Sequence, residues 1–176
     1  MLHLSRKSLK QDKAAWEKAD IKLYSYDDTQ VEEATQQTPQ WVHFGGGNIF
    51  RAFIAALQQQ LLNKGAYDEE VIEKVYRPFN NLSLAVTMYA DGRFEKEVIG
   101  SVVESVVCRP DFSSDWKRLN EIFANPSLQI ASFTITEKGY KLKDYAGNFF
   151  PAVAEDMKNG PEKAKSSMGC IAALAY

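Results

Sequence analysis

The residues best suited to bind a ligand form a glycine-rich turn, Gly45-Gly46-Gly47-Asn48. The turn directly follows Trp41–Phe44, a short apolar run rich in strand-forming residues. After it, apolar residues recur at the spacing of one helix face, and Gly65 follows the last of them; they are Ile49, Phe50, Phe53, Ile54, Leu57, Leu61 and Leu62. The pattern therefore predicts a strand, a glycine turn and a helix. A turn in this position can bind an anion, because the free backbone amides and the positive end of the helix dipole both lie there.

The turn partly matches the G-x-G-x-x-G fingerprint of dinucleotide-binding folds. Gly45 and Gly47 occupy the first two glycine positions, whereas Phe50 occupies the third. In that fingerprint the first glycine permits the tight turn and the second lets a pyrophosphate approach the backbone. Taken alone, the match leaves two readings open: a pyrophosphate-binding turn or a plain turn. No Gly-Lys-Ser/Thr ends the turn, so a Walker A loop is excluded.

Three residues next to the glycines are further candidates. The backbone amides of Asn48 and Ile49 would face a bound phosphate, although Asn48 could equally serve only as an N-cap. Arg51 could pair with a phosphate or carboxylate, or tie the helix to another domain. His43, within the first strand, is interpreted as a hydrogen-bonded core residue and not as a catalyst.

A second candidate region follows the apolar run Leu128–Thr136, which predicts a strand covered on both faces. Glu137 comes directly after it, where carboxyl ends of strands line the ligand crevice in such sheets, and is a site candidate. Lys138 could be a solvated loop charge.

The acidic residue that usually binds the ribose hydroxyls is not identified. Asp68, Glu69 and Glu70 have about the right spacing, but they open the predicted short helix Asp68–Tyr76. Asp91 is explained by its Asp-Gly turn. Only Ala66-Tyr67 separates Gly65 from the acidic residues, so either the second strand is displaced or residues are missing here.

The remaining pattern predicts the elements around the turn. Residues 1–40 form a polar arm, pinned to a core by apolar residues and ending in the polar connector Asp27–Gln40; the pinning residues are Trp16, Ile21, Leu23 and Tyr24. Asp91-Gly92 joins the β-rich runs Leu82–Met88 and Phe94–Val107 into a hairpin. We expect residues 41–176 to form the domain that contains the turn, which is a dinucleotide-binding domain if the turn binds pyrophosphate.

Two helices are predicted toward the end of the chain. One is capped by Ser113 or Ser114, buries Trp116, Leu119, Ile122 and Phe123, and stops at Asn125-Pro126. The other opens at Gly160-Pro161, and its last residues, Met168–Tyr176, are apolar and lack a cap. We expect from this end that the sequence is a fragment of a longer protein; the alternative is a natural C-terminus docked in a core.

Composition excludes several classes. The 176 residues are 45% hydrophobic with a net charge of −2, which suits one globular domain and gives no reason to expect a nucleic-acid partner. No apolar run is long enough to span a membrane, and no secretory signal is present. Cys108 and Cys170 are expected to be free, buried, inert thiols in a reducing cytoplasm. Two histidines cannot build a multi-histidine metal site.

Three segments resemble the polyol-specific long-chain dehydrogenases, which include mannitol 2-dehydrogenase, fructuronate reductase and tagaturonate reductase. HFGGGNIFRAF (His43–Phe53) resembles the family's glycine turn, which carries arginine at the Arg51 position and needs no third glycine. VIGSVVE (Val98–Glu104) and TITEKGY (Thr134–Tyr140) resemble later family segments.

The resemblance implies an α/β fold: a Rossmann-like NAD-binding domain with an inserted β-hairpin. It implies NAD as cofactor, a polyol or sugar-acid substrate, no zinc, and a helical C-terminal domain that carries the catalytic lysine. No catalytic residue is therefore assigned in this chain, which alone should be inactive; the cofactor candidates are Gly45, Gly47, Asn48, Ile49, Arg51 and Glu137. The alternatives are a non-catalytic nucleotide-binding or interaction module, and a Rossmann-like fragment that binds nothing.

Overall fold

The computed structural model describes residues 2–55, 77–135 and 137–176; the side chains of Glu137 and Lys138 are outside the described part. The strands are β1 (Ile21–Lys22), β2 (Trp41–Phe44), β3 (Ser83–Met88), β4 (Phe94–Ile99) and β5 (Ile130–Phe133). The helices are α1 (Arg6–Gln11), α2 (Lys13–Lys18), α3 (Asp28–Gln37), α4 (Ser113–Phe123), α5 (Glu137–Tyr140), α6 (Pro151–Asn159) and α7 (Ser167–Ala175). A π-helical segment spans Phe50–Ile54, and 3₁₀ turns span Arg77–Phe79 and Pro161–Lys163.

The predicted hairpin is present as β3 and β4, which pair antiparallel from Ser83↔Ile99 to Met88↔Phe94. Gly92 has a φ of +83°, as its turn position requires. The second strand ends at Ile99, so the prediction that it continues to Val107 is wrong. The ladder stops because β3 offers no partner beyond Ser83, and the next residue, Gly100, lies against the Tyr24 ring.

The strand before the glycine turn, β2, pairs parallel with β5, from Trp41↔Ile130 to Phe44↔Phe133. Trp41 of β2 is partly buried, and the following three residues, Val42–Phe44, are buried. The predicted strand Leu128–Thr136 is shorter, and its expected cover on both faces is wrong, because Ile130 is 47% exposed. Within the described residues, β5 pairs only with β2 and forms the edge of this sheet.

Apolar residues near the N-terminus pack against the hairpin. Trp16 is 4% exposed and joins Leu9, Leu82 and Val98 in one apolar cluster, while β1 extends the hairpin sheet alongside β4. The predicted connector Asp27–Gln40 is wrong, because α3 forms within it. Asp27 is the reason: its carboxylate accepts from the Thr29 and Gln30 amides and caps the helix. The division into arm 1–40 and domain 41–176 stays a prediction.

Two helices cover the face of β2 that carries Val42 and Phe44. Leu119 and Ile122 of α4 and Leu174 of α7 pack on Val42 and Phe44. Neither Ser113 nor Ser114 caps α4; the N-cap is Phe112, without a side-chain hydrogen bond, and Asp115 in the first turn accepts from the Val107 amide instead.

The end of the chain differs in detail from the prediction. The predicted last helix is two elements, the Pro161–Lys163 turn and α7, and α6 precedes them without having been predicted. The predictions for Leu57, Leu61, Leu62, Gly65 and the acidic helix Asp68–Tyr76 lie outside the described residues. No helix in the described ranges is long and apolar enough to cross a membrane.

Candidate nucleotide-binding site at the glycine turn

The glycine turn lies at the carboxyl end of the parallel pair β2 and β5. Phe44, the last residue of β2, accepts a hydrogen bond from the Thr134 amide at 2.8 Å, which carries the pairing one step beyond β5. Because parallel strands end at the same edge, the residues after Phe44 and those after Phe133 come together there. The site candidates before and after the turn therefore share one edge of the sheet.

Gly45 occupies a position that only glycine can fill. Its φ is +119°, and a Cβ atom would lie 2.5 Å from the Thr134 carbonyl oxygen. Both features exclude a side chain, the first through the backbone conformation and the second through contact with Thr134, the residue after β5. Gly45 therefore permits the tight turn, as the first glycine of the fingerprint does.

Gly47 has a different environment. A Cβ atom there would meet no atom within 4 Å, so the space above this residue is open. Its carbonyl accepts from the Arg51 amide at 3.1 Å, which begins the helix. The amides of Asn48 and Ile49 in the first turn have no acceptor within the helix. The turn thus combines open space with backbone donors.

Asn48 lies inside the helix and not at its cap, because Gly47 supplies the first helical carbonyl. The Asn48 amide oxygen accepts from the Arg51 guanidinium. Both side chains line a cavity of about 370 Å³ between the helix and β3, bounded also by Leu4, Phe79, Leu82 and Ser83–Val86. The Arg51 Nε atom is buried and has no acceptor within the described residues.

Phe50 replaces the third glycine of the fingerprint and fills the contact between helix and strand. It is fully buried, and its ring stacks on the His43 ring with centroids 4.2 Å apart and planes 12° apart. The helix continues as a π-helical turn in which Ala55 donates to the Phe50 carbonyl. The Ser101 hydroxyl in turn donates to the Ala55 carbonyl at 2.5 Å.

His43 joins the two strands through both ring nitrogens. Nδ1 is 2.7 Å from the Ser132 hydroxyl and Nε2 is 2.7 Å from the Thr134 hydroxyl. Burial lowers the His43 pKa to about 4, against a smaller opposing effect of the Gly45 backbone. The imidazole is neutral at pH 7, as expected for a hydrogen-bonded core residue.

Ser132 and Thr134 are site residues that sequence reasoning did not single out. The Trp41 indole donates to the Ser132 hydroxyl at 2.6 Å, and the Thr134 hydroxyl donates to the Gly45 carbonyl at 3.2 Å. A usable signal was present: two hydroxyl residues at alternate positions of an otherwise apolar strand share one face. That face is the one His43 occupies on β2.

Glu137 begins α5, three residues after Thr134, so its backbone is near the same edge. Its side chain is outside the described part. Ile49 is 69% exposed beside the turn. The structure thus brings Gly45, Gly47, Asn48 and Ile49 together, turns Arg51 toward the β3 cavity, and leaves the Glu137 carboxylate undescribed.

The two cysteines are free, and burial raises the pKa of Cys108 to about 12 and that of Cys170 to about 11. Cys170 is buried as predicted, whereas Cys108 is only partly buried. The described residues contain no group of three or more His, Cys, Asp or Glu side chains placed to hold a metal ion.

Known proteins are similar to this chain in sequence and in fold. No family model matches the sequence. The chain is 52% identical to the D-mannonate oxidoreductase of Thermotoga maritima, over 99% of this chain and 34% of that protein. This similarity extends over nearly the whole of this chain. It is also 27% identical to the polyol:NADP oxidoreductase of Gluconobacter oxydans, over 76% of this chain and 30% of that protein.

A solved structure has the same fold as this chain. The Pseudomonas fluorescens mannitol 2-dehydrogenase, in a ternary complex with NAD and D-mannitol, matches with a TM-score of 0.73 and 23% identity. The match covers 97% of this chain and 35% of that one, and it confirms the predicted α/β, Rossmann-type fold. The chain spans about a third of the length of the relatives it matches.

Proposed function

We propose that this chain is the NAD(H)-binding part of a mannitol- or hexuronate-type dehydrogenase. The observation that carries the proposal is the glycine turn at the carboxyl end of β2, with Gly45 locked against β5 and open space above Gly47. The whole enzyme would interconvert the secondary alcohol of a polyol or aldonate with the ketone of its keto-sugar.

The residues present fit a dinucleotide. Its pyrophosphate would lie over Gly47 and accept from the amides of Asn48 and Ile49, where the helix dipole favours negative charge. Arg51 would add positive charge beside the turn, and Glu137 would lie at the crevice edge. The proposed cofactor-binding residues are Gly45, Gly47, Asn48, Ile49, Arg51 and Glu137.

The substrate class is supported by the relatives. The name of the Thermotoga maritima relative points to a sugar acid, D-mannonate, and those of the other two to polyols. The Gluconobacter oxydans relative carries NADP in its name, whereas the mannitol 2-dehydrogenase structure holds NAD. We propose NAD; the choice depends on the acidic ribose-binding residue, which the described residues do not identify.

The cofactor supplies the hydride acceptor, and the protein supplies position and electrostatics. Oxidation of the alcohol also needs a base for the hydroxyl proton. We assign no catalytic residue in this chain, so the proposal includes a further helical domain as partner, which supplies the base. A cytoplasmic location is part of the same proposal, in keeping with two free thiols.

The test is a fluorescence titration of the 176-residue chain with NADH, followed by competition with ADP-ribose. We expect saturable binding that ADP-ribose displaces, because the turn contacts the pyrophosphate that both ligands carry. The matched variant is Gly47→Ala, which should keep the fold and weaken binding by about tenfold or more, since its methyl group occupies the phosphate approach. No saturable signal from the wild-type chain would contradict the proposal.

Catalysis is tested separately. The chain alone is expected to give no turnover of mannitol or mannonate with NAD. A chain extended by the segment that follows Tyr176 in its gene should gain turnover if that segment supplies the base. An extended chain that binds NADH but never turns over would favour a non-catalytic nucleotide-binding module.

A further inference from the structure

We infer that His43 is a positioning residue for the cofactor: with Thr134 as its intermediary, the imidazole fixes the Gly45 carbonyl and so the conformation of the glycine turn. This inference rests on the proposed function, since the ligand it concerns is the pyrophosphate of NAD(H). It adds His43, Thr134 and Ser132 to the machinery of a site that otherwise consists of glycines and helix amides.

The direction of each hydrogen bond at the imidazole follows from the last member of the network. The Gly45 carbonyl can only accept, so the single hydrogen of the Thr134 hydroxyl points to it, and that hydroxyl accepts from His43 Nε2. The hydrogen of the neutral ring is therefore on Nε2, and Nδ1 accepts from the Ser132 hydroxyl. Ser132 in turn accepts from the Trp41 indole.

The network ends on a glycine in a backbone conformation that residues with side chains rarely adopt. Gly45 has a φ of +119°, and its carbonyl is held at 3.2 Å by a hydroxyl that the imidazole itself fixes. Holding this carbonyl limits rotation of the peptide group between Gly45 and Gly46. The amides that would face a phosphate follow within the next few residues, so their direction depends on that peptide.

A purely apolar role would need only the aromatic ring. The stack of His43 on Phe50 could be made by phenylalanine, yet both His43 nitrogens are within 2.7 Å of hydroxyl groups on the neighbouring strand. Without the imidazole, the partly buried hydroxyls of Ser132 and Thr134 would each lose one hydrogen-bond partner. The side chain at position 43 is thus suited to transmit hydrogen bonds as well as to fill space.

The decisive variant is Thr134→Val, which keeps the side-chain shape and removes the hydroxyl. We expect NADH affinity to fall by about tenfold, the effect of one lost hydrogen bond on the turn. Thr134→Ser restores the hydroxyl and should recover most of the affinity. His43→Phe keeps the ring stack, loses both hydrogen bonds, and should resemble Thr134→Val.

The matched control is Ser127→Ala. Ser127 donates to the Pro39 carbonyl at 2.7 Å, a comparable hydroxyl-to-carbonyl bond joining the same two chain segments just before β2 and β5. It should lower thermal stability about as much as Thr134→Val without changing NADH affinity. Equal affinity losses in both variants would mean general loosening of the strands and would overturn the inference.

Nuclear magnetic resonance keeps this test separate from the proposed function. The chain has two histidines, so His3→Gln leaves His43 as the single source of imidazole ¹⁵N signals. We expect the Nε2–H tautomer, and we expect Thr134→Val to shift the amide signals of residues 45–48 while Ser127→Ala does not. An Nδ1–H tautomer, or unchanged turn amides, would overturn the inference whether or not NADH binds. A wild-type chain that shows both signatures but binds no NADH would contradict the proposed function and, with it, the role in cofactor positioning.

Discussion

The carbonyl oxygen of Thr134 occupies the place that a side chain at Gly45 would need. A Cβ atom on Gly45 would lie 2.5 Å from that oxygen and 2.8 Å from the Thr134 hydroxyl oxygen. The turn and the neighbouring strand are therefore in direct backbone contact. Because Thr134 is the residue after β5, the position of the turn depends on the pairing of β2 with β5.

Gly45→Ala is expected to destabilise the protein by about 2 kcal/mol or more, since it combines a positive φ with a backbone clash. The matched variant, Gly47→Ala, meets no atom within 4 Å and should change stability by less than about 1 kcal/mol. Urea unfolding followed by circular dichroism measures both. Equal free energies of unfolding for the two variants would show that contact with Thr134 does not constrain the turn.

Stability should fall as the pH falls from 6.5 to 4, and His43 is the cause. Burial lowers its pKa to about 4 in the folded chain, from 6.5 in the unfolded chain. The unfolded state therefore binds the proton first, so the contribution is complete above pH 6.5 and is lost as the pH falls through the folded pKa. The full effect is about 3 kcal/mol.

The measurement is the free energy of unfolding from about pH 7.5 to 4, for the wild type and His43→Gln. The glutamine side chain of the variant does not titrate, so the difference between the two curves should shrink as the pH falls. The two curves running parallel over this range would contradict the assignment.

Glu104 and Arg118 form a two-pronged ion pair that fixes α4 to the segment after β4. Arg118 Nε and Nη2 donate to the two carboxylate oxygens at 2.7 and 3.1 Å, and Nη2 also donates to the Gln36 carbonyl. Both side chains are about three-quarters buried. We expect Glu104→Ala and Arg118→Ala each to cost about 1–2 kcal/mol, and the double variant to cost less than their sum.

The control for this cycle is Lys13 and Glu17, an exposed pair on α2 whose charged atoms are 3.9 Å apart. Its coupling energy should be below about 0.5 kcal/mol. Thermal or urea unfolding of all the variants measures both couplings. A coupling between Glu104 and Arg118 as small as the control value would contradict the prediction.

Asp156 connects α6 to the beginning of α7. Its carboxylate accepts from the Lys165 amide at 2.7 Å and from the Ser166 amide and hydroxyl at 2.9 and 2.5 Å. Burial alone would raise its pKa, but these hydrogen bonds outweigh burial and lower the pKa below its ordinary 3.8. Asp156→Asn should therefore cost about 2 kcal/mol at pH 7, because an amide cannot accept on both atoms.

The acid dependence gives a second measurement for Asp156. A lowered pKa means that its contribution is complete above about pH 4–5 and is lost as the pH falls through the folded pKa. Glu155→Gln removes an exposed pair with Lys165 and should change stability by less than about 1 kcal/mol. A penalty for Asp156→Asn that is no larger than this control would contradict the role of Asp156.

The turn region shows how far the pattern of residues could lead. Strand β2, the glycine turn and the start of the helix were all predicted, because glycines and apolar spacing are local signals. The departure at Phe50 was visible in the sequence, but its partner was not. Only the tertiary structure places the Phe50 ring on His43, since the contact depends on the angle at which the helix leaves the turn.

In two other segments the structure differs from the prediction. The polar segment Asp27–Gln40 has few apolar residues and was expected to be a connector, yet Asp27 caps a helix within it. The apolar run Phe94–Val107 has strand character throughout, but its second half has no strand to pair with among the described residues. The buried residue Val102, for example, packs in the core without belonging to a strand.

The sequence by itself determined the class of fold, the glycine turn and the family resemblance, because each is written in the types and spacing of neighbouring residues. The tertiary structure alone decided why Gly45 must be glycine, why the space above Gly47 is open, and which residues hold the turn in place. These depend on Thr134 and Ser132, which are about ninety positions away in the chain from the groups they contact. Contacts of that kind arise from strand pairing, which residue spacing around the turn does not encode.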